Sequence, residues 1–512
     1  MTEALYAMRM CESHGFKPEK ILKNQFVITS GTGTSLPGLL PMRLDKLVLH
    51  HGYSLAPIPM SDEKGRLFGC FLGVGVDEDG ALITAESFRR FNSKGRRFET
   101  EFESYADNIG GRYLIVLDAS TKQRVYRDPM GQTGVFYNRE SGLVGSMLGL
   151  VLDGDHVPDP MLTGPAAPID NGGGAFPLGH SLDQSVRALL PNHRLDLKEF
   201  ETVRIWPKTD GFPKPSKARM GKLIGQMVDR QRQILDALLP LGCDLALSGG
   251  AGSRALLACL DDSRRAQLGW TFSYDCHDSE TDDALAAEHL CEGRDIPFRR
   301  VTLAEAKQIF GHTRPVKRQR MRRHWMRTSR MCVIPAEVRC NAIGLVDADC
   351  LELRGDGMGL LQSTWQRGQG PKQQKPKAGL KSEIAYMLGL DAPDEAATRV
   401  WSAEYKAWKA TLPKSAQSVI HDFIALELHG PTRFAAYAGL PDRFRISPFG
   451  DRRMIGLCLQ LPVSERFGGG AVEKLIEMAD PDLAGEPYAT DMDDMRASGL
   501  VGGGEGPIRS AS

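Results

Sequence analysis

The segment Leu245-Ala-Leu-Ser-Gly-Gly-Ala-Gly-Ser-Arg254 carries the residue types that handle phosphate. Its glycines let the main chain approach an anion closely, and the N–H groups of a helix opening near Ser253 would attract negative charge to the same point. The spacing is neither the dinucleotide fingerprint nor the Walker loop. A tight strand-to-helix turn without a ligand is the competing reading of the same glycines. A second feature is RPVKRQRMRRHWMRTSR (Arg314 to Arg330), with seven Arg and one Lys among 17 residues and no acid. Such a run could hold nucleotide phosphates, an acidic substrate or nucleic acid, or simply form a solvated helix face. No recognisable nucleic-acid motif accompanies it, which argues against a nucleic-acid module.

The elements around the glycine turn alternate between strand and helix. MGKLIGQMVDRQRQILDALL has apolar residues at helical spacing, CDLALSGG reads as a strand running into the turn, and SRALLACLDD reads as a helix. QLGWTFSYD, DDALAAEHLCEGRD and PFRRVTL continue the alternation, which indicates a parallel sheet with helices on both faces. Upstream the texture differs. LFGCFLGVGV, YLIVLD, RVYRD and GVFYN are short apolar runs between turn residues, the pattern of antiparallel strands. Three prolines between Pro207 and Pro215 mark a linker. The expected division is therefore an N-terminal extension (1–65), a sheet domain (66–207), an α/β domain (217–480) and a tail (481–512).

At 512 residues, 41% hydrophobic and 25% charged, the chain has material for at least two buried cores. Lys+Arg and Asp+Glu balance at 64 each, so bulk charge points to no polyanionic partner. The ten cysteines form no CxxC pair, which argues against a disulfide framework and for a reducing cytoplasm. No run of about 18 apolar residues predicts a membrane span.

The glycine turn also resembles a known family. LSGGAGSR is similar to the pyrophosphate loop SGG-x-D-S of the N-type ATP pyrophosphatases, in the form found in asparagine synthetases. YRDPMGQTGVFYN with GLVGSML (126–148) resembles a segment of the family's glutamine-amidotransferase domain. LLPNHRLDL with RIWP (189–207) resembles the exit from that domain, and ISPFGDRRMIGLCLQLP (446–462) resembles the family's C-terminal P-F-L-D-x-R segment.

The resemblance implies an Ntn-hydrolase-like first domain of stacked antiparallel sheets and an adenine nucleotide alpha hydrolase-like second domain. It implies ATP-dependent adenylation of a small-molecule or peptide carboxylate, followed by attack of an amine, with Mg²⁺ on the departing pyrophosphate; a homodimer would be compatible. Residue by residue, it places ATP against Leu247, Ser248, Gly249, Gly250, Ser253 and Arg254, with Phe272 and Ser273 on the adenine strand. Lys474 falls near a lysine that relatives use to stabilise developing negative charge, though a solvated lysine on an amphipathic helix fits equally. Asp356, in Leu353-Arg-Gly-Asp-Gly-Met-Gly-Leu360, is the candidate metal carboxylate.

The chain departs from this pattern where the chemistry is most demanding. Gly252 stands where the loop carries its metal-binding Asp, and a register that puts Gly359 at the second acidic position would remove both carboxylates. Position 2 is Thr2 instead of a nucleophilic Cys, and Cys70 lies inside a predicted strand. No glutaminase activity is expected, so the amine would be ammonia or part of the substrate. A catalytically inactive relative that binds nucleotide or supports a biosynthetic complex is the alternative expectation.

Overall fold

Short apolar runs broken by turns make the first half of the chain a stack of two antiparallel sheets. The computed structural model describes residues 5–13, 15–31, 35–119, 122–163, 176–208, 212–213, 215–275, 278–292, 294–302, 304–305, 350–363, 379–390, 392–430 and 444–491. The Arg-rich run 314–330, Thr2 and residues 492–512 lie outside that set.

One sheet contains β1 (Phe26–Ser30), β2 (Leu40–Arg43), β3 (Leu47–His51), β8 (Phe136–Asn138), β9 (Leu143–Gly145) and β10 (Val186–Ala188), in the order β10-β8-β9-β1-β3-β2. The other contains β4 (Ile58–Ser61), β5 (Leu67–Val76), β6 (Gly110–Ala119), β7 (Lys122–Arg127), β11 (His193–Asp196) and β12 (Glu201–Arg204), in the order β12-β11-β7-β6-β5-β4. Residues 1–65 are thus no extension ahead of the sheets, because four of the strands come from them. Their short strands are punctuated by polar and turn residues, which hides the alternation.

Alternation along the strands builds the layers. On β1, Phe26 and Ile28 enter the core between the sheets, while Val27 faces outward beneath helix α1 (Tyr6–Ser13). On β6, Leu114 and Val116 point into the same inter-sheet core, and Tyr113, Ile115 and Leu117 join a cluster on the other face. That cluster includes Phe98 and Phe102 of α2 (Phe98–Asp107), and each fully buried phenylalanine contributes roughly 1.5–3 kcal/mol. Phe68 and Phe71 share this face because the register slips by one residue beside Gly69, a bulge that interrupts the alternation of β5.

The second half holds a parallel sheet of β13 (Cys243–Ala246), β14 (Leu268–Asp275), β15 (Phe298–Thr302), β16 (Leu351–Arg354) and β17 (Phe444–Ile446), ordered β15-β14-β13-β16-β17. Its helices include α3 (Lys217–Leu238), α4 (Ala251–Ala258), α5 (Asp278–Cys291), α6 (Glu395–Ala410) and α7 (Gly470–Ala479). The chain runs outward from β13 to β14 and β15, then returns to build β16 and β17 on the opposite side. Strand order therefore reverses between β13 and β16, the position where open parallel sheets leave a crevice beyond their C-terminal ends. Among the described residues no helix is long and apolar enough to cross a membrane.

Candidate functional site

The crevice is present as a cavity of about 240 Å³ at the C-terminal edge of the sheet. β13 delivers Leu247 and Ser248, and the start of α4 delivers Gly252 and Ser253. Phe272, Ser273 and Tyr274 come from β14, Glu280 and Asp283 from α5, Arg354, Gly355 and Asp356 from the end of β16, and Arg445 from β17.

The turn after β13 is held by its own hydroxyls. Ser248 N–H donates to Ser253 Oγ at 3.0 Å, the two hydroxyls lie 3.1 Å apart, and Gly250 N–H donates to Ser248 Oγ at 3.3 Å. Gly250 caps α4 in an extended conformation, leaving the first-turn amides without intrahelical acceptors. Arg254 N–H then closes the first helical bond onto the Gly250 carbonyl.

Opposite charges meet beneath the cavity. Glu352 is fully buried and pairs with Arg354 at 2.7 Å and with Arg445 at 3.0 Å. Arg354 Nε also lies 3.3 Å from Asp356 Oδ2. The two arginines and two carboxylates balance, so this floor adds no net positive charge, while Glu280 and Asp283 add negative charge to the wall. Among the described lining residues, what the site offers an anion beyond these paired charges is the main-chain amides of the glycine turn.

Several residues singled out in the sequence meet here: Leu247, Ser248, Ser253, Phe272, Ser273 and Asp356 all line the cavity. Others do not. Arg254 turns away, its guanidinium donating to the Glu486 and Pro487 carbonyls with its carbon 3.7 Å from the centre of the Tyr488 ring. Burial lowers its pKa, and Tyr488, with Glu473, Glu486 and Asp491 after it, opposes that shift. Gly249 lies under the same C-terminal segment: its carbonyl accepts from Ala489 N–H at 3.2 Å, and a Cβ there would meet Ala489 Cβ at 2.5 Å. Gly250 is likewise outside the lining. Lys474 is half-exposed on α7, 3.1 Å from Glu465, and does not reach the cavity wall. The 481–512 segment is therefore no loose tail over its described part, because residues 486–491 pack on Gly249 and Arg254 of the glycine turn.

Sequence reasoning missed Arg445, Arg354, Glu280 and Asp283, all of which line the cavity. The signal for Arg354 was its place directly before the Gly-Asp-Gly turn.

The turn after β16 presses against the turn after β13. A Cβ on Gly355 would come within 2.4 Å of Gly252 C and 2.5 Å of Ser253 N, and one on Gly252 within 2.9 Å of Gly355 O. This contact occupies the space at the position of the expected loop Asp. Mg²⁺ asks for near-octahedral oxygens with one or two carboxylates beside the phosphates. Among the described residues no group of three or more His, Cys, Asp and Glu converges, and Asp356 is committed to Arg354. The donors among the described residues do not fit the Mg²⁺ site that the resemblance implies.

In the first domain Cys70 is fully buried in the inter-sheet core, where desolvation chiefly, and Asp118 in addition, push its thiol far above the ordinary range. It is a packing residue there, and no nucleophile. No protein-family profile matches this chain, and a search of curated proteins finds no match.

Proposed function

We propose that this chain is an asparagine synthetase-like protein that binds ATP at the switch-point cavity without turning it over, a pseudoenzyme whose nucleotide site has outlasted its ligase chemistry. The observation that carries this reading is the Gly252–Gly355 contact, which leaves no room for the loop carboxylate beside a turn still shaped to offer amides to phosphate. Leu247 N–H bonded to the Phe272 carbonyl sets the inner wall, and Phe272 and Tyr274 offer the adenine an aromatic flank. The Ser248–Ser253 pair keeps the turn open for the phosphates.

The ligase reading is kept alive by one observation: Asp356 faces the cavity. A carboxylate there could take a proton from an attacking amine, whether ammonia or part of a small-molecule or peptide substrate. Without charge stabilisation on the departing pyrophosphate, the rate would fall by roughly a few hundredfold.

Equilibrium dialysis of the full chain with labelled ATP, with and without EDTA, tests the binding; ATP–pyrophosphate exchange with candidate carboxylates tests the chemistry. Binding that is indifferent to EDTA, with no exchange, is expected. Brisk exchange would restore the ligase reading, and absence of binding would remove the nucleotide site.

A further inference from the structure

We propose that Gln132 of the first domain is a positioning residue for the Gly355-Asp356-Gly357 turn, so that one domain sets the shape of the cavity in the other. The inference rests on the nucleotide reading only for its ligand readout.

The argument starts at Asp128, fully buried at the end of β7. Its carboxylate accepts the N–H groups of Met130 at 3.2 Å, Gln132 at 2.7 Å and Thr133 at 2.8 Å, which winds residues 128–133 into one fixed turn. The turn aims two side chains across the domain boundary. Gln132 Nε2 donates to Gly111 O and to Ser447 O, each at 3.2 Å, and Gln132 Oε1 accepts from Ser447 N–H at 2.7 Å. The amide thus reads both main-chain groups of Ser447, the residue immediately after β17. Ser447 Oγ in turn donates to the Asp356 carbonyl.

Met130 supplies the second contact. Gly357 has a φ of +86°, and a Cβ there would meet Met130 Cε at 2.5 Å and Phe449 at 2.9 Å. The first domain therefore supports the turn from below through Met130 and grips its hydrogen-bonded neighbour through Gln132. The space around the amide is fully used, since a Cβ on Gly450 would sit 2.4 Å from Gln132 Nε2. A generic interface glutamine would tolerate slack; this one has both ends of its amide committed to one residue that touches the cavity wall.

The test uses the full chain with Gln132→Ala, Ser447→Ala and Asn192→Gly. Asn192 bridges Glu427 and Arg452 elsewhere on the domain boundary, and its φ of +61° suits glycine, so its variant loosens the interface without touching the turn. Backbone amide exchange is read by mass spectrometry across 353–358, beside the ATP dissociation constant and thermal unfolding. Gln132→Ala should speed exchange in 353–358 by roughly tenfold or more and weaken ATP by about tenfold. Ser447→Ala, which removes only the link to Asp356, should reproduce the effect in smaller measure and serves if the first variant does not fold. Asn192→Gly should lower the unfolding temperature and leave both local readouts alone. Wild-type exchange over 353–358 in Gln132→Ala, or a rise spread evenly as in Asn192→Gly, would overturn the proposal. If the wild type binds no ATP, the nucleotide reading fails while the exchange arm still decides the role of Gln132.

Discussion

Gly252 and Gly355 face each other across the switch point so closely that neither can carry a side chain without moving main-chain atoms of the other. Gly252 takes no positive φ, so its need for glycine is one of space and not of backbone conformation. The two positions are unequal: a Cβ at Gly355 meets three main-chain atoms at 2.4–2.5 Å, whereas one at Gly252 meets a single carbonyl at 2.9 Å.

Gly355→Ala should therefore destabilise the second domain by about 1–3 kcal/mol, and Gly252→Ala by less. Gly252→Asp restores the expected carboxylate in name but should bring no pyrophosphate exchange, because its Cβ already displaces the Gly355 turn. Urea unfolding of the three variants checks the order. Exchange activity in Gly252→Asp at no cost in stability would contradict it.

The Arg254 guanidinium clasps the C-terminal segment, and its removal should cost about 1–2 kcal/mol by stranding two partly buried carbonyls. Arg254→Lys keeps the charge and loses the planar fork, so it should behave almost as poorly as Arg254→Ala. Limited proteolysis, read by mass spectrometry, should then cut within 485–491, where the wild type resists. Equal resistance in all three proteins would show that the clasp is not what holds the segment.

Burial pushes the His193 imidazole down to about 4, with Arg204 adding to the shift and Glu427 opposing it. Its Nδ1 lies 2.8 Å from the Pro191 carbonyl, consistent with a neutral ring that donates there. The folded state resists protonation that the unfolded chain accepts near pH 6.5. The stabilisation is complete above that value and is lost as pH falls toward 4, by up to about 3 kcal/mol. His193→Asn, which keeps a donor for Pro191, should flatten the decline between pH 6.5 and 4. An unchanged slope would assign the acid sensitivity to other groups.

The Cys70 thiol, fully buried and pushed up in pKa, should escape iodoacetamide in native protein and react once the chain is unfolded in denaturant. Glutamine should yield no ammonia with wild type or with Cys70→Val. Ammonia release lost in the variant would reverse the assignment.

The broad plan was legible because its signals are local. Runs such as LFGCFLGVGV and YLIVLD, and the alternation of strand and helix after Lys217, announce two antiparallel sheets and a parallel one. The glycine turn could be placed on its strand because glycine spacing and an apolar strand sit side by side. Strands within 26–61 escaped notice because LPMR and IPMS lack alternation. Arg254 was misassigned for a different reason: a motif fixes the main chain of a turn but not which way a long side chain leaves it. Its partners lie more than 230 residues later, where nothing in the loop points. Lys474 was placed by its order in the chain, and the helix presents it to Glu465. The Gly252–Gly355 contact joins a glycine that stood out only as a missing Asp to one that reads as an ordinary turn residue, and nothing local pairs the two.

β13 pairs with β16 although more than a hundred residues of chain separate them, and β17 arrives about ninety residues later still. A chain made only through β15 therefore has a β13 edge that still lacks its partner β16, beside a glycine turn without the Gly355 turn opposite it. Such an edge invites pairing with other nascent chains. The cavity wall is completed only when Arg445 of β17 has been made. The interval between β13 and β17 is accordingly when this chain has most need of a chaperone.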